Sequence, residues 1–267
     1  ILNLNHINVK NEDGVSYLQA MSPVDCIFLD PARRNEHGGK TVAISDCEPN
    51  VAKLEGLLLS KANRIMIKLS PMLDLSQALK ELPHTQEVHI ISVNNECKEL
   101  LLLLGQTAPE EIPVHCVNLS TKGEQEKQLF VFTREQEQHS ECSYTDTLGN
   151  YLYEPNASLL KAGAFRSIAA AYSVKKLHPN SHLYTSETQI EGFPGRTFRI
   201  INRCSLNKKE IKENLSDLKK ANITVRNFPA TVAELRKRIK LAEGGDTYLF
   251  ASTLNDGQKI LIRCGKV

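Results

Sequence analysis

The stretch Val24-Asp25-Cys26-Ile27-Phe28-Leu29-Asp30-Pro31-Ala32-Arg33-Arg34 decides the fold. An apolar run climbs to an acid, the chain turns at Pro31, and two arginines follow. The run predicts a buried parallel strand that delivers Asp30 to the carboxyl edge of a sheet. In open α/β sheets, ligands bind in the crevice outside that edge. Pro31 fixes φ and has no N–H, so the carbonyl before it is held in a defined direction. Asp30 and Pro31 are therefore candidate site residues, although Asp-Pro also serves as a plain turn. Arg33 and Arg34 suit a phosphate clamp, or equally the solvated face of a loop.

Downstream, Arg64 to Leu69 predicts a second continuous strand, ended by Ser70-Pro71. Consecutive parallel strands place their ends side by side, so Lys68 and Ser70 are expected near Asp30. A lysine there can pair with the acid or meet a phosphate; it can also simply face solvent. Between these strands, Val51 to Ala62 suits an amphipathic helix. Leu75 to Leu82 predicts a short helix, Glu87 to Val93 a third strand, and Glu96 to Leu104 a helix ended by Gly105. Val114 to Leu119 and Gln128 to Thr133 predict strands joined by a polar turn at 121–126. Strands alternating with helices imply a parallel, doubly covered sheet with an antiparallel pair at one side. Upstream, Ile1 to Val9 is a weak β-type run. Asp13-Gly14 follows in a turn, where an acid can hydrogen-bond an adenine amino group or do nothing but turn the chain. Thr41 to Ile44 is short and β-like.

Glu135 to Gly149 is polar and without periodicity. Beyond it, Asn156 caps a helix reaching Tyr172. The last portion predicts the order βαβαββ, with helices over 207–220 and 231–241. Its final hairpin turns at Asn255-Asp256-Gly257.

With 41% hydrophobic and 24% charged residues the composition is that of a soluble protein. No apolar run reaches the length of a membrane span. Seven cysteines are spread without any C-x-x-C, against a disulfide framework or a zinc site. Reduced thiols in a cytoplasmic protein are the expectation. His178 and His182 are separated by Pro179 and share no helical face, so no metal is expected. A cysteine nucleophile has no convincing candidate, Cys26 being mid-strand and Cys97 on the expected helix.

Charge is divided along the chain. Residues 1–150 carry 13 Lys/Arg against 21 Asp/Glu, and residues 151–267 carry 20 against 10. From Arg199 to Lys240, twelve Lys/Arg face four acids. Arg236, Lys237 and Arg238, with Lys240, form the densest group. Such a half suits a polyanion partner, or a basic surface without one.

These pieces together resemble bacterial class I S-adenosylmethionine-dependent methyltransferases with a THUMP-like C-terminal domain. The resemblance rests on Asp30-Pro31-Ala32-Arg33-Arg34, Asp46-Cys47-Glu48-Pro49 and Lys68-Leu69-Ser70-Pro71-Met72-Leu73-Asp74. It also rests on Glu154 to Gly163, Leu183-Tyr184-Thr185-Ser186 and the final βαβαββ unit. It implies an α/β fold in three parts: a partial Rossmann-like methyltransferase domain (1–135), a linker with a small intermediate domain (136–196), and a THUMP-like α+β domain (197–267). It implies S-adenosylmethionine as cofactor and RNA as substrate. Asp30, Pro31, Lys68 and Ser70 would be catalytic, and Asp13, Gly14 and Asp30 would face the cofactor. Arg33, Arg34, Arg236, Lys237 and Arg238 would face the substrate.

The chain departs from that family in one respect. Gly14 is the only glycine before Gly38, so the glycine-rich donor loop is missing. The chain is therefore expected to begin at the family's third strand, inside a longer polypeptide. Cofactor binding is expected only in the full-length protein, with Ile1 to Val9 displaced, filling a vacant place, or pairing with another chain. The alternative is a non-catalytic RNA-binding module.

Overall fold

The computed structural model describes residues 6–33, 43–121 and 127–267. Contacts group residues 1–90 with 98–114 into one compact unit, and 91–97 with 115–267 into a second.

Helix α1 (Gly14–Ala20) opens the first unit, and strand β1 (Val24–Leu29) follows it. The two-residue strands β2 (Ala32–Arg33) and β3 (Cys47–Glu48) pair with each other. Helix α2 (Val51–Lys61) leads into β4 (Ala62–Leu69), and α3 (Leu75–Glu81) into β5 (Thr85–Val93). Strands β6 (Glu96–Leu104), β7 (Pro113–Leu119) and β8 (Lys127–Thr133) complete a six-stranded sheet of order β1-β4-β6-β5-β7-β8. Each helix of this unit begins at a side-chain cap: Asp13, Asn50 and Asp74 accept from the backbone N–H three residues on.

Strand β4 shows why the sheet holds. Ile65, Ile67 and Leu69 are each at most 3% exposed, alternating with less buried neighbours. Fully burying each such side chain contributes about 1.5–3 kcal/mol. β4 runs parallel to β1 and antiparallel to β6.

Three expectations need correction. The strand ending at Asp30 is parallel but lies at the edge of the sheet, and Val24, Cys26 and Phe28 are exposed. Its apolar run suggested cover on both faces that the described residues do not supply. Glu96–Leu104 is a strand, not a helix, and Cys97 lies on it. Asn94 and Asn95 both adopt positive φ (51° and 64°) and close β5 onto β6 as a two-residue hairpin. Thirdly, Ile44–Asp46 is a single 3-10 turn; Thr41 and Val42 of that β-like stretch lie outside the described residues. Of Ile1 to Val9, residues 6–9 are exposed and carry no strand; residues 1–5 lie outside the described residues, as does most of the turn at 121–126.

In the second unit, α4 (Arg134–His139) occupies part of the stretch read as linker, and β9 (Tyr151–Pro155) ends it. The helix capped by Asn156 is two helices, α5 (Ala157–Ala162) and α6 (Arg166–Ala171), broken where Gly163 turns left-handed at φ 77°. Strands β10 (Lys175–Lys176), β11 (Tyr184–Ser186) and β12 (Gly195–Cys204) follow. Then come α7 (Lys208–Leu215), β13 (Asn222–Arg226), α8 (Val232–Ile239), β14 (Thr247–Thr253) and β15 (Lys259–Lys266). The βαβαββ order from β12 onward is the expected one, and Gly257 at φ 86° closes the final hairpin.

All seven strands form one sheet, β10-β11-β9-β12-β15-β14-β13. Alternation splits its side chains between two cores. Phe250, Ile260, Ile262 and Cys264 pack with Phe198 and Leu152 on one face. Leu249, Ala251 and Leu261 pack on the other, against Leu215 of α7 and Leu235 of α8.

Candidate functional site

Parallel pairing of β1 with β4 sets Leu29 opposite Ile67, so the next residues, Asp30 and Lys68, emerge side by side. Lys68 Nζ lies 2.6 Å from Asp30 Oδ2 and 3.8 Å from Glu99. The hydrogen bond to Asp30 raises the Lys68 pKa above its ordinary value, and Glu99 adds to the effect. The pair is half-open to solvent, so its energy is modest and its value is geometric: it holds a carboxylate at the sheet's carboxyl edge. Pro31, the next residue in the chain, is buried. Ser70 turns away into a local turn, where its Oγ accepts from Met72 N–H at 3.2 Å. Arg33 extends the backbone of β2; Arg34, Gly38 and Gly39 lie outside the described residues.

A mostly apolar cleft of about 570 Å³ opens beside the same strand. Val24, Ile27 and Leu29 of β1 and Leu54 of α2 line it, with Asp13 and Gly14 at the start of α1. The Asp13 carboxylate accepts Ser16 N–H at 2.8 Å, and this bond holds its pKa below the usual carboxylate range. The cleft thus joins Asp13 and Gly14 to the strand that ends in Asp30; Asp30 itself is not part of its wall.

The basic cluster of the second unit is divided in its roles. Helix α8 starts with a capping box, Thr231 and Glu234 bonding each other's backbone N–H. Its last turn carries Arg236, Lys237 and Arg238, where positive charge suits the helix dipole. Successive positions fan around a helix, so the three cations do not share a face. Arg236 donates to the carbonyl of Ala221 at 3.3 Å, and Arg238 to that of Leu206 at 2.7 Å. Both arginines bond the backbone of neighbouring segments, Arg236 half-buried and Arg238 exposed, whereas the exposed Lys237 makes no such bond among those described.

Sequence reasoning missed the most buried carboxylate in an ion pair among the described residues. Glu154 on β9 is 2% exposed at its side chain. One of its oxygens receives Nε and Nη2 of Arg196, the other Nε and Nη2 of Arg226. An acid inside the apolar stretch Tyr151–Pro155 was the available signal, since carboxylates are seldom buried unless paired. Nothing local pointed to its two partners.

A ferredoxin-like domain model matches residues 151–194, and a THUMP domain-like model matches 195–266. The two matches meet at the first residue of β12, which pairs with β9 on one side and β15 on the other. Both matched regions therefore share one sheet. A crystal structure of a candidate methyltransferase from Porphyromonas gingivalis W83 is 40% identical, with a TM-score of 0.83, over 91% of this chain. The chain spans 60% of the length of that structure. No protein of curated function matches it. Among the described residues no helix is long and apolar enough to cross a membrane. The resemblance read from the sequence therefore holds on independent grounds: this is a mixed α/β chain similar along nearly its whole length to a methyltransferase-type structure, and it ends in a THUMP-like domain.

Proposed function

We propose that the native protein transfers a methyl group from S-adenosylmethionine to RNA, with Asp30 on the substrate side. The observation that carries this reading is the Asp30–Lys68 pair at the carboxyl ends of two parallel strands, one of which also lines the apolar cleft. Crevices at such strand ends are where α/β sheets bind ligands.

The cleft suits the adenosyl part of the cofactor. Its volume lies within the usual range of small-molecule sites, about 300–1,000 Å³. Its apolar wall fits a flat ring, and the Asp13 carboxylate, held ionised by Ser16, can accept from an exocyclic amino group. The cofactor, when bound, supplies an electrophilic methyl group. Asp30 would accept a hydrogen bond or proton from the attacking substrate atom, while Lys68 holds the carboxylate in place. The match to a THUMP domain-like model and the excess of Lys/Arg after residue 150 support RNA as the substrate.

The test is calorimetry of the native protein with S-adenosylmethionine, followed by transfer of labelled methyl to RNA. Asp30→Asn should leave cofactor affinity intact and slow transfer by about 100-fold. A native protein that neither binds the cofactor nor transfers methyl sinks the proposal. The basic balance of residues 151–267 is compatible with a second reading, an RNA-binding module without catalysis. RNA binding without any cofactor binding would select it.

A further inference from the structure

A second cleft, of about 640 Å³, lies wholly within the second unit and has a different chemistry. Six carboxamides line it: Asn94, Asn95, Asn118, Gln128, Asn156 and Gln189. They come from the hairpin after β5, from β7 and β8, from the cap of α5, and from the loop after β11. Among the lining residues Arg196 and Lys266 are the cations and Glu191 the acid.

We propose that this cleft holds one unstacked nucleotide of single-stranded RNA, the carboxamides reading the base edge and Lys266 and Arg196 meeting the phosphate. The proposal rests on the RNA reading above and adds where and how a base is recognised.

Four of the carboxamides are tied to one another before any ligand arrives. Gln128 Oε1 accepts from Asn118 Nδ2 at 3.2 Å and from Asn156 Nδ2 at 3.1 Å. Gln128 Nε2 donates to the Gly195 carbonyl at 3.0 Å. Asn118 Oδ1 accepts Asn95 N–H at 2.9 Å, and Asn95 Oδ1 accepts Ala157 N–H at 2.8 Å. The bonds to backbone groups settle which end of the Gln128, Asn118 and Asn95 amides is oxygen. The network uses only one of the two N–H donors on the amides of Asn118, Gln128 and Asn156. The second N–H of Asn118 and of Gln128 can serve a ligand without breaking the network, whereas Asn156 is only 1% exposed and braces it.

A carboxamide presents a donor beside an acceptor, the complement of the amino group and ring nitrogen on an adenine edge. Sequence-specific proteins read splayed RNA bases through such edges. Phe193, also in the wall, is only 4% exposed and is packed 4.9 Å from Tyr153. It forms a floor rather than a stacking platform, so recognition here depends on edges. Arg196 is already bound to Glu154, which fixes its guanidinium and tempers its charge. The cleft therefore suits one phosphate, not a long polyanion track.

The test uses the native protein and fluorescein-labelled single-stranded oligoadenylate, oligouridylate and oligocytidylate. Gln189 is exposed, so Gln189→Ala reports binding with little risk to the fold. Combined with Asn118→Ala, it should weaken oligoadenylate binding about tenfold at unchanged salt slope. Lys266→Ala should lower the slope of log affinity against log salt by about one for all three oligomers. Equal melting temperatures of native protein and Gln189→Ala control for folding. Cross-linking of thiouridine-substituted RNA should mark residues within 189–197 or 118–120, or Gln128. Native RNA binding that the double variant and Lys266→Ala each retain in full, or cross-links confined to 208–240, overturns this cleft alone. A native protein that binds no RNA at low salt, but binds a peptide or glycan, overturns the RNA reading with it.

Discussion

Lys68 and Asp30 lie 2.6 Å apart because β1 and β4 are parallel and in register. The ammonium is stabilised by the carboxylate, so its pKa is raised above 10.5. A raised folded-state pKa means that the folded chain holds the proton more tightly than the unfolded one. The pair's contribution is then complete below pH 10.5 and is lost as pH rises through the higher, folded value. Titration of the Lys68 side chain by nitrogen-detected NMR should show a midpoint above 10.5, and Asp30→Asn should bring it down. An unshifted midpoint in the native protein would mean that the pair does not persist in solution.

Legibility in the sequence followed how local each determinant was. The strand ending in Asp30 and its parallel partner ending in Lys68 could be read from two continuous apolar runs. The edge position of β1 could not, because a run records hydrophobicity and not the presence of a neighbour. Glu96–Leu104 was misread because leucine is a strong helix former and its run lacks alternation. Asn94-Asn95, a pair tolerant of positive φ, was the overlooked hairpin signal. Asp30 and Lys68 come together through sheet pairing, which the strand order implied. Glu154 with Arg196 and Arg226 depends on the path of a whole sheet, which no spacing encodes.

That path has a measurable consequence. Glu154 on β9 and Arg226 on β13 are four strand spacings apart, roughly 19 Å in a flat sheet. Their contact at 2.8 Å requires the sheet to coil until the end of β13 approaches β9. Glu154→Leu removes the anion that ties them. A fully buried pair broken this way costs about 3–5 kcal/mol. Both arginines are over one-third exposed and can turn to water, so a loss of about 1–3 kcal/mol is expected. Urea unfolding followed by far-ultraviolet circular dichroism checks it; a midpoint equal to that of the native protein would show the tie to be dispensable.

His182 stacks on Phe165 with ring centroids 3.7 Å apart. Burial, with repulsion from Lys176 and Arg226, pushes its pKa down to about 4. Between pH 6.5 and 4 the unfolded chain therefore binds a proton that the folded chain refuses, and stability falls as pH falls. His182→Phe keeps the stack and removes the titration. Its melting temperature should decline less than that of the native protein between pH 6.5 and 4; parallel declines would count against a neutral, buried imidazole.

Cysteine reactivity follows burial. Cys26 on the edge strand is exposed, whereas Cys116, Cys204 and Cys264 are buried. Burial pushes the thiols of Cys204 and Cys264 up to about 11 and 12, and so depletes their thiolates at neutral pH. Brief treatment of the folded protein with N-ethylmaleimide, read by peptide mass spectrometry, should modify Cys26 first and spare those three. Early labelling of Cys264 would place β15 in exchange with an open form.

Arg236, Lys237 and Arg238 should separate into two classes despite being adjacent. Arg236→Glu and Arg238→Glu each remove a donor from a backbone carbonyl, of Ala221 and Leu206 respectively. Arg236→Glu should lower stability by about 1–2 kcal/mol, since a half-buried acceptor loses its partner; the Arg238 bond is exposed, and its loss should cost less. Lys237→Glu leaves those bonds in place and should alter melting by less than about 0.5 kcal/mol. If RNA tracks this helix, the same substitution weakens binding and reduces the salt slope by about one. Weaker binding in all three variants would not by itself locate RNA on α8, because two of them also loosen the domain. Lys237→Glu is the decisive variant: full RNA affinity with an unchanged salt slope would take this helix out of the interface.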